Sequence, residues 1–267
     1  MWQTLAFFTA AAVLLVLAVF NRRRRRAQLL SAPLPAPWRT ILERQPCFRR
    51  LPADLRRGLP GRMNVFMAEK RFEGCGGLTL TDEMRVIIAA QACLPLLGGA
   101  GDHYPGVTTI LVYPRDFPVE ETKVEEGFEL TGEETLSGES WQQGTVILSW
   151  DSVLGDADDA AFNVVVHEFA HQLDEEDGML DGVPLLRPGM DYDRWVRVFQ
   201  EAYDDLVRRS EAGEDTVLDP YGTYDAVEFF AVASEAFFEV PRELKAEHPD
   251  MYGELAGFYG LDPGEWG

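Results

Sequence analysis

The sequence predicts an α+β fold with a small strand-containing front half and a mainly helical back half, preceded by one N-terminal transmembrane helix. Three observations carry this. Two short β-branched runs, Thr108 to Tyr113 (TTILVY) and Thr145 to Trp150 (TVILSW), read as strands. Long helical patterns fill the chain after residue 158. The first residues form an apolar run long enough to cross a bilayer.

Trp2 to Phe20 is apolar except for Gln3, Thr4 and Thr9, and Arg22 to Arg26 follow at once. A cleaved leader places its positive charge before the apolar run. Here the order is reversed, so the expectation is a single-pass inner-membrane anchor over residues 1–26 with the body on the cytoplasmic side. If the anchor is absent or removed, the body is expected in the cytoplasm. Residues 27–40 hold Pro33, Pro35 and Pro37 and read as a semi-rigid linker. Residues 41–267 are expected to form the functional domain.

In that domain, Thr81 with Asp82 and Glu83 reads as an N-cap, and Met84 to Leu97 as the apolar helix it opens. Thr122 to Ser140 is acidic and turn-rich. Asp158 to Asp174 reads as a helix. Asp191 to Arg209 is amphipathic, with Trp195, Val198, Phe199, Ala202 and Leu206 on one face. Asp225 to Glu239 is strongly apolar and stops before Pro241.

Charge narrows the function. The 267 residues carry a net −21, and residues 1–26 hold five Arg and no acid, so the rest carries −26. Such a body repels phosphate backbones, and direct nucleic-acid binding is not expected. Three cysteines (Cys47, Cys75 and Cys93) are odd in number and lack metal spacing, so they read as reduced thiols.

Chemistry concentrates in Asn163 to Asp174, NVVVHEFAHQLD, where His167-Glu168-Phe169-Ala170-His171 is H-E-x-x-H. Residues four apart share a helical face, so both imidazoles can converge on one Zn²⁺. Glu168 is then placed to move a proton from an attacking water to a leaving amine. The competing reading is a helix whose two His bind nothing. Two of only four His fall at this spacing on an apolar helix, where an uncommitted cluster is costly to bury, and this argues against it.

A third ligand is needed. Asp177 lies six residues past His171, but the pattern that uses this position also needs Gly where this chain has Asp174. Glu228, on the apolar helix downstream, is favoured; Asp225-x-x-Glu228 also has capping-box spacing. Glu235, two turns on, remains a rival. Asp174 reads as a residue orienting a ligand His or as the end of the helix. Thr145 to Trp150 is the candidate edge strand for pairing a substrate backbone.

Three stretches, LSGESWQQGTVILSWDSV (136–153), NVVVHEFAHQLD (163–174) and YGTYDAVEFFAVASEAFFEVP (221–241), resemble the Mlc titration factor A family of bacterial zinc-dependent peptidases. The last is also similar to the metal-site region of anthrax lethal factor, a gluzincin. The resemblance implies a gluzincin-like fold and one Zn²⁺ per chain held by His167, His171 and Glu228. It further implies Glu168 as general base and Tyr221 as donor to the oxyanion. From the residues alone, Tyr221 is only an aromatic in a turn. The chain departs from thermolysin, which carries E-x-x-x-D where Val232 stands here.

The expected activity is therefore peptide hydrolysis, aminopeptidase-like on small peptides by resemblance. The alternative is a regulatory protein that sequesters the glucose repressor Mlc. A third class, a membrane-tethered protease acting on unfolded protein, rests on the anchor alone.

Overall fold

The computed structural model describes residues 2–115, 117–125, 128–136, 138–141, 144–155 and 161–266. In chain order the front half holds α1 (Trp2–Ser31), α2 (Ala36–Leu42), α3 (Pro46–Arg49), α4 (Ala53–Glu69), β1 (Arg71–Gly74), α5 (Asp82–Ala92) and β2 (Thr109–Tyr113). A hairpin of β3 (Phe117–Glu125) and β4 (Phe128–Leu136) follows, then β5 (Gly138–Trp141), β6 (Thr145–Ser149) and α6 (Trp150–Val153). The back half is α7 (Val164–Asp174), α8 (Tyr192–Ala212), α9 (Ala226–Glu239), α10 (Pro241–Glu247) and α11 (Pro249–Tyr259), with short 3₁₀ turns between.

The sheet runs β1-β2-β6-β5; the first three strands are parallel and β5 is antiparallel to β6. Alternate residues of the inner strands point into the core, with Ile110, Val112, Val146 and Leu148 fully buried. Thr145–Ser149 is therefore an interior strand, flanked by β2 and β5, and the expectation that it forms the edge is corrected. The edge beside it is β5, which lies against α7. The acidic segment expected to be turn-rich contributes most of the β3–β4 hairpin.

The expected transmembrane helix is also corrected. Among the described residues, no helix is long and apolar enough to cross a membrane. The apolar run and the Arg run share one continuous helix, α1, whose C-terminal part docks on α4. Arg26 binds the Glu69 carboxylate through two nitrogens, at 2.6 and 2.7 Å, and reaches Asp102 at 2.7 Å. Two of those cations, Arg22 and Arg26, serve contacts to the body, and the inner-membrane placement built on the run as a topology signal falls with the span.

α7 forms because Asn163 caps it, its side-chain oxygen accepting from Val166 N at 3.0 Å, and because its other face is apolar. Residues 158–160 of the longer helix expected there lie outside the described residues. Val165, Val166 and Phe169 are fully buried, and Phe169 packs its ring on Tyr104 and Phe66 at 4.6 and 5.4 Å between centroids. α9, capped by Asp225, is largely apolar and buried and packs along α7. The five residues expected on one face of α8 are all buried, with Trp195 stacked on Phe199 at 4.1 Å. Two long helices are thus fixed side by side by core packing, and the polar residues they carry meet at one place.

Candidate metal centre

His167 and His171, one turn apart on α7, have ring centroids 4.8 Å apart. Ligand atoms of His167, Glu168 and His171 all lie within 4.8 Å of one another. Glu228, in the first turn of α9, reaches across: its Oε2 stands 3.0 Å from His167 Nε2 and 3.6 Å from His171 Nε2. Around a tetrahedral ion with bonds of about 2.0–2.2 Å, neighbouring donors stand about 3.3 Å apart. The two observed separations bracket that value, and two imidazoles with one carboxylate are a donor set suited to a divalent ion.

Electrostatics agrees. His167 has a carboxylate at each ring nitrogen: Glu228 at Nε2 and Glu235 at Nδ1, 2.8 Å away. A neutral ring carries one N–H, so one of these contacts would set a lone pair against an anion. The arrangement is satisfied by a second cation on the ring, either a proton or a metal ion. Burial works against charge on His167, but Glu235 and Glu228 outweigh it and raise its pKa well above the usual range. Burial lowers that of His171 despite its contact with Glu228. Burial also acts to raise the Glu228 pKa, yet the hydrogen bond with His167 and the nearby His171 imidazole hold it far below the ordinary carboxylate range.

The capping-box alternative for Glu228 fails in one half. Asp225 Oδ1 accepts from Val227 N and Glu228 N, both at 2.9 Å, so Asp225 caps the helix. The Glu228 carboxylate is turned to the imidazoles instead. Glu168 is almost fully buried, its exposure 2%. Tyr221 projects from the 3₁₀ turn Pro220–Thr223, its ring 6.0 Å from that of His167 and more than half exposed. The site thus has a buried floor and one open aromatic wall.

Other candidates fall away from the centre. Asp177 is exposed and accepts from Met179 N within its own turn. Asp174 is fully buried but binds Gly182 N at 2.8 Å rather than a histidine. Burial, with Asp181 and Asp177 nearby, drives its pKa up to about 7 against the pull of the Gly182 bond. Gly182 has φ +80° and lies where a Cβ would run into the Ala226 backbone, so Asp174 holds a close-approaching loop at the start of the helix that carries Glu228. Glu235 does not join Glu228 at Nε2; it lies at the opposite nitrogen of His167 and also accepts from Asn163 N at 2.5 Å. The structure shows contacts that the spacing did not, those of Glu235 with His167 and with Asn163, though all three residues stood in the motif stretches.

A buried His-Glu-His cluster on one helix, faced by a carboxylate from a second, is the kind of centre a metal-dependent hydrolase uses. The profile of the glucose-regulated metallo-peptidase M90 family matches residues 20–260, and the chain belongs to that family of metallopeptidases. A protein of Synechocystis sp. described as uncharacterised is 41% identical over 241 residues, 88% of each chain. Proteins named Mlc titration factor A are 39% identical in Pectobacterium atrosepticum, over 74% of this chain and 76% of that one, and 36% identical in Serratia proteamaculans, over 70% and 72%. The resemblance drawn from the three sequence stretches holds. Membership of a metallopeptidase family implies a metal ion.

Proposed function

We propose that the chain is a zinc-dependent peptidase of the HExxH gluzincin type, with residues 41–267 as its catalytic domain. In it His167, His171 and Glu228 hold one Zn²⁺ and Glu168 is the general base. The observation that carries this is the single oxygen of Glu228 placed between two imidazole Nε2 atoms. When bound, the ion polarises the scissile carbonyl and makes a water acidic enough to attack near neutral pH.

The chain's own groups supply the rest. Glu168 lies beside the imidazoles on a rigid helix, where it takes the proton of the attacking water and returns it to the leaving amine. Its near-complete burial keeps bulk water from competing for that proton. Tyr221, on the open side, donates its phenolic hydrogen to the oxyanion that develops on the carbonyl oxygen. A peptide backbone extends along β5, the strand that borders α7. The resemblance supports aminopeptidase-like trimming of small peptides.

The test is Glu168→Gln. The variant should retain one Zn²⁺ per chain and lose turnover of a peptide panel; a fully active variant refutes the mechanism. A second reading, sequestration of an Mlc-type repressor, is supported by the names of relatives that are 31–39% identical. Capture of Mlc by wild type and equally by a His167→Ala/His171→Ala double variant would favour it over catalysis.

A further inference from the structure

The second polar shell of this centre is unevenly built. Among the described residues, His171 Nδ1 is buried with no hydrogen-bond partner, whereas His167 Nδ1 meets Glu235 at 2.8 Å. Glu235 is itself 6% exposed and uses both carboxylate oxygens: Oε1 on His167 and Oε2 on the backbone N–H of Asn163, at 2.5 Å. Asn163 is the N-cap of α7, and its side-chain amide donates to Glu239 Oε1 at 2.7 Å. Glu239 Oε2 in turn accepts from Arg50 at 2.9 Å. A continuous chain of polar contacts thus runs from Arg50 through Glu239, Asn163 and Glu235 to one ring nitrogen of His167.

We propose that Glu235 is a positioning residue, fixing the rotamer and tautomer of His167 so that Nε2 is its metal-binding nitrogen. The reasoning rests on the metal-site reading above and deepens it. Carboxylates face both ring nitrogens, but Glu228 is the one shared with His171 Nε2, where the ion would sit, so Glu235 takes the hydrogen of Nδ1 and the Nε2 lone pair is left for the ion. Glu235 also ties the N-cap residue of the motif helix to the histidine one turn on, so the carboxylate that receives Nδ1 is itself anchored to the backbone of Asn163. This supplies, seven residues after Glu228, the orienting carboxylate that Val232 cannot give. Glu239 and Arg50 hold Asn163 in place behind it.

The experiment is zinc titration by chelator competition on the metal-stripped full chain, with wild type, Glu235→Gln and His167→Ala compared. Gln has one acceptor oxygen where two donors must be met, so one contact becomes donor against donor. Glu235→Gln should bind Zn²⁺ about 10–100-fold more weakly, as expected for loss of such an outer partner. Affinity within twofold of wild type overturns the proposal while leaving the metal site intact, provided that His167→Ala weakens binding. Unchanged affinity in His167→Ala overturns both. As a measurement that needs no variant, ¹⁵N NMR of the zinc-loaded wild type should show His167 protonated at Nδ1; protonation at Nε2 would contradict the assignment.

Discussion

Replacing Asp174 by Asn should stabilise the protein at alkaline pH and leave it unchanged in acid. Asp174 closes the motif helix, is fully buried, and accepts one hydrogen bond from Gly182 N. Burial raises its pKa from 3.8 to about 7. For an acid raised on folding, the native chain holds its proton more tightly than the unfolded chain does. Stability is then greatest below the unfolded pKa and declines as pH rises towards the folded one, after which the loss is constant. The full difference corresponds to roughly 4 kcal/mol at about pH 8, of which about 2 kcal/mol has already appeared by about pH 5.5. Asn reproduces the shape and the accepting oxygen of the protonated acid without its ionisation. Urea unfolding of both proteins across this range therefore isolates the group, because all other titrations cancel in the difference. The variant's advantage should grow by about 2 kcal/mol between about pH 5.5 and 8. An advantage independent of pH would show that Asp174 is not a buried acid under desolvation, and the account of the loop it pins would fail.

Two further outcomes follow from the same geometry. Tyr221→Phe should keep metal affinity and KM close to wild type while kcat falls by about 10²–10³, the loss expected for one oxyanion donor; a kcat within threefold would remove Tyr221 from the chemistry. Arg26→Ala should return the Glu69 carboxyl, held down to about 2 chiefly by its hydrogen bond with Arg26, towards the ordinary range in a ¹³C NMR titration. An unmoved Glu69 would mean that α1 does not dock on α4 as described.

Residues that serve both local and long-range structure were the most legible in the sequence. Thr81 caps the helix it was expected to open, and the apolar stripe of α8 is buried residue for residue, whereas Asn163, expected inside a helix from Asp158, is the residue that caps α7. The H-E-x-x-H spacing sufficed to place two imidazoles together, because helical periodicity is local. Strand order was not legible: TVILS reads the same at an edge or in the interior, and only its pairing with both β2 and β5 decides. Spacing favoured Glu228 but left Glu235 as a rival, since both are carboxylates on one face of α9. Which nitrogen of His167 each meets depends on how α7 and α9 pack. The N-terminal run misled because its apolar composition says nothing of where the following arginines go, and two of them, Arg22 and Arg26, bind Glu69.

The central claim is that two histidines of α7 and one glutamate of α9 share a single ion. X-ray absorption at the zinc edge of the purified, zinc-loaded chain tests it most directly. The account predicts two imidazole nitrogens at about 2.0–2.1 Å and carboxylate or water oxygen at about 2.0–2.2 Å, with the imidazole signature lost in His167→Ala/His171→Ala. A shell dominated by sulfur at about 2.3 Å, or a spectrum unchanged by that double substitution, would contradict it.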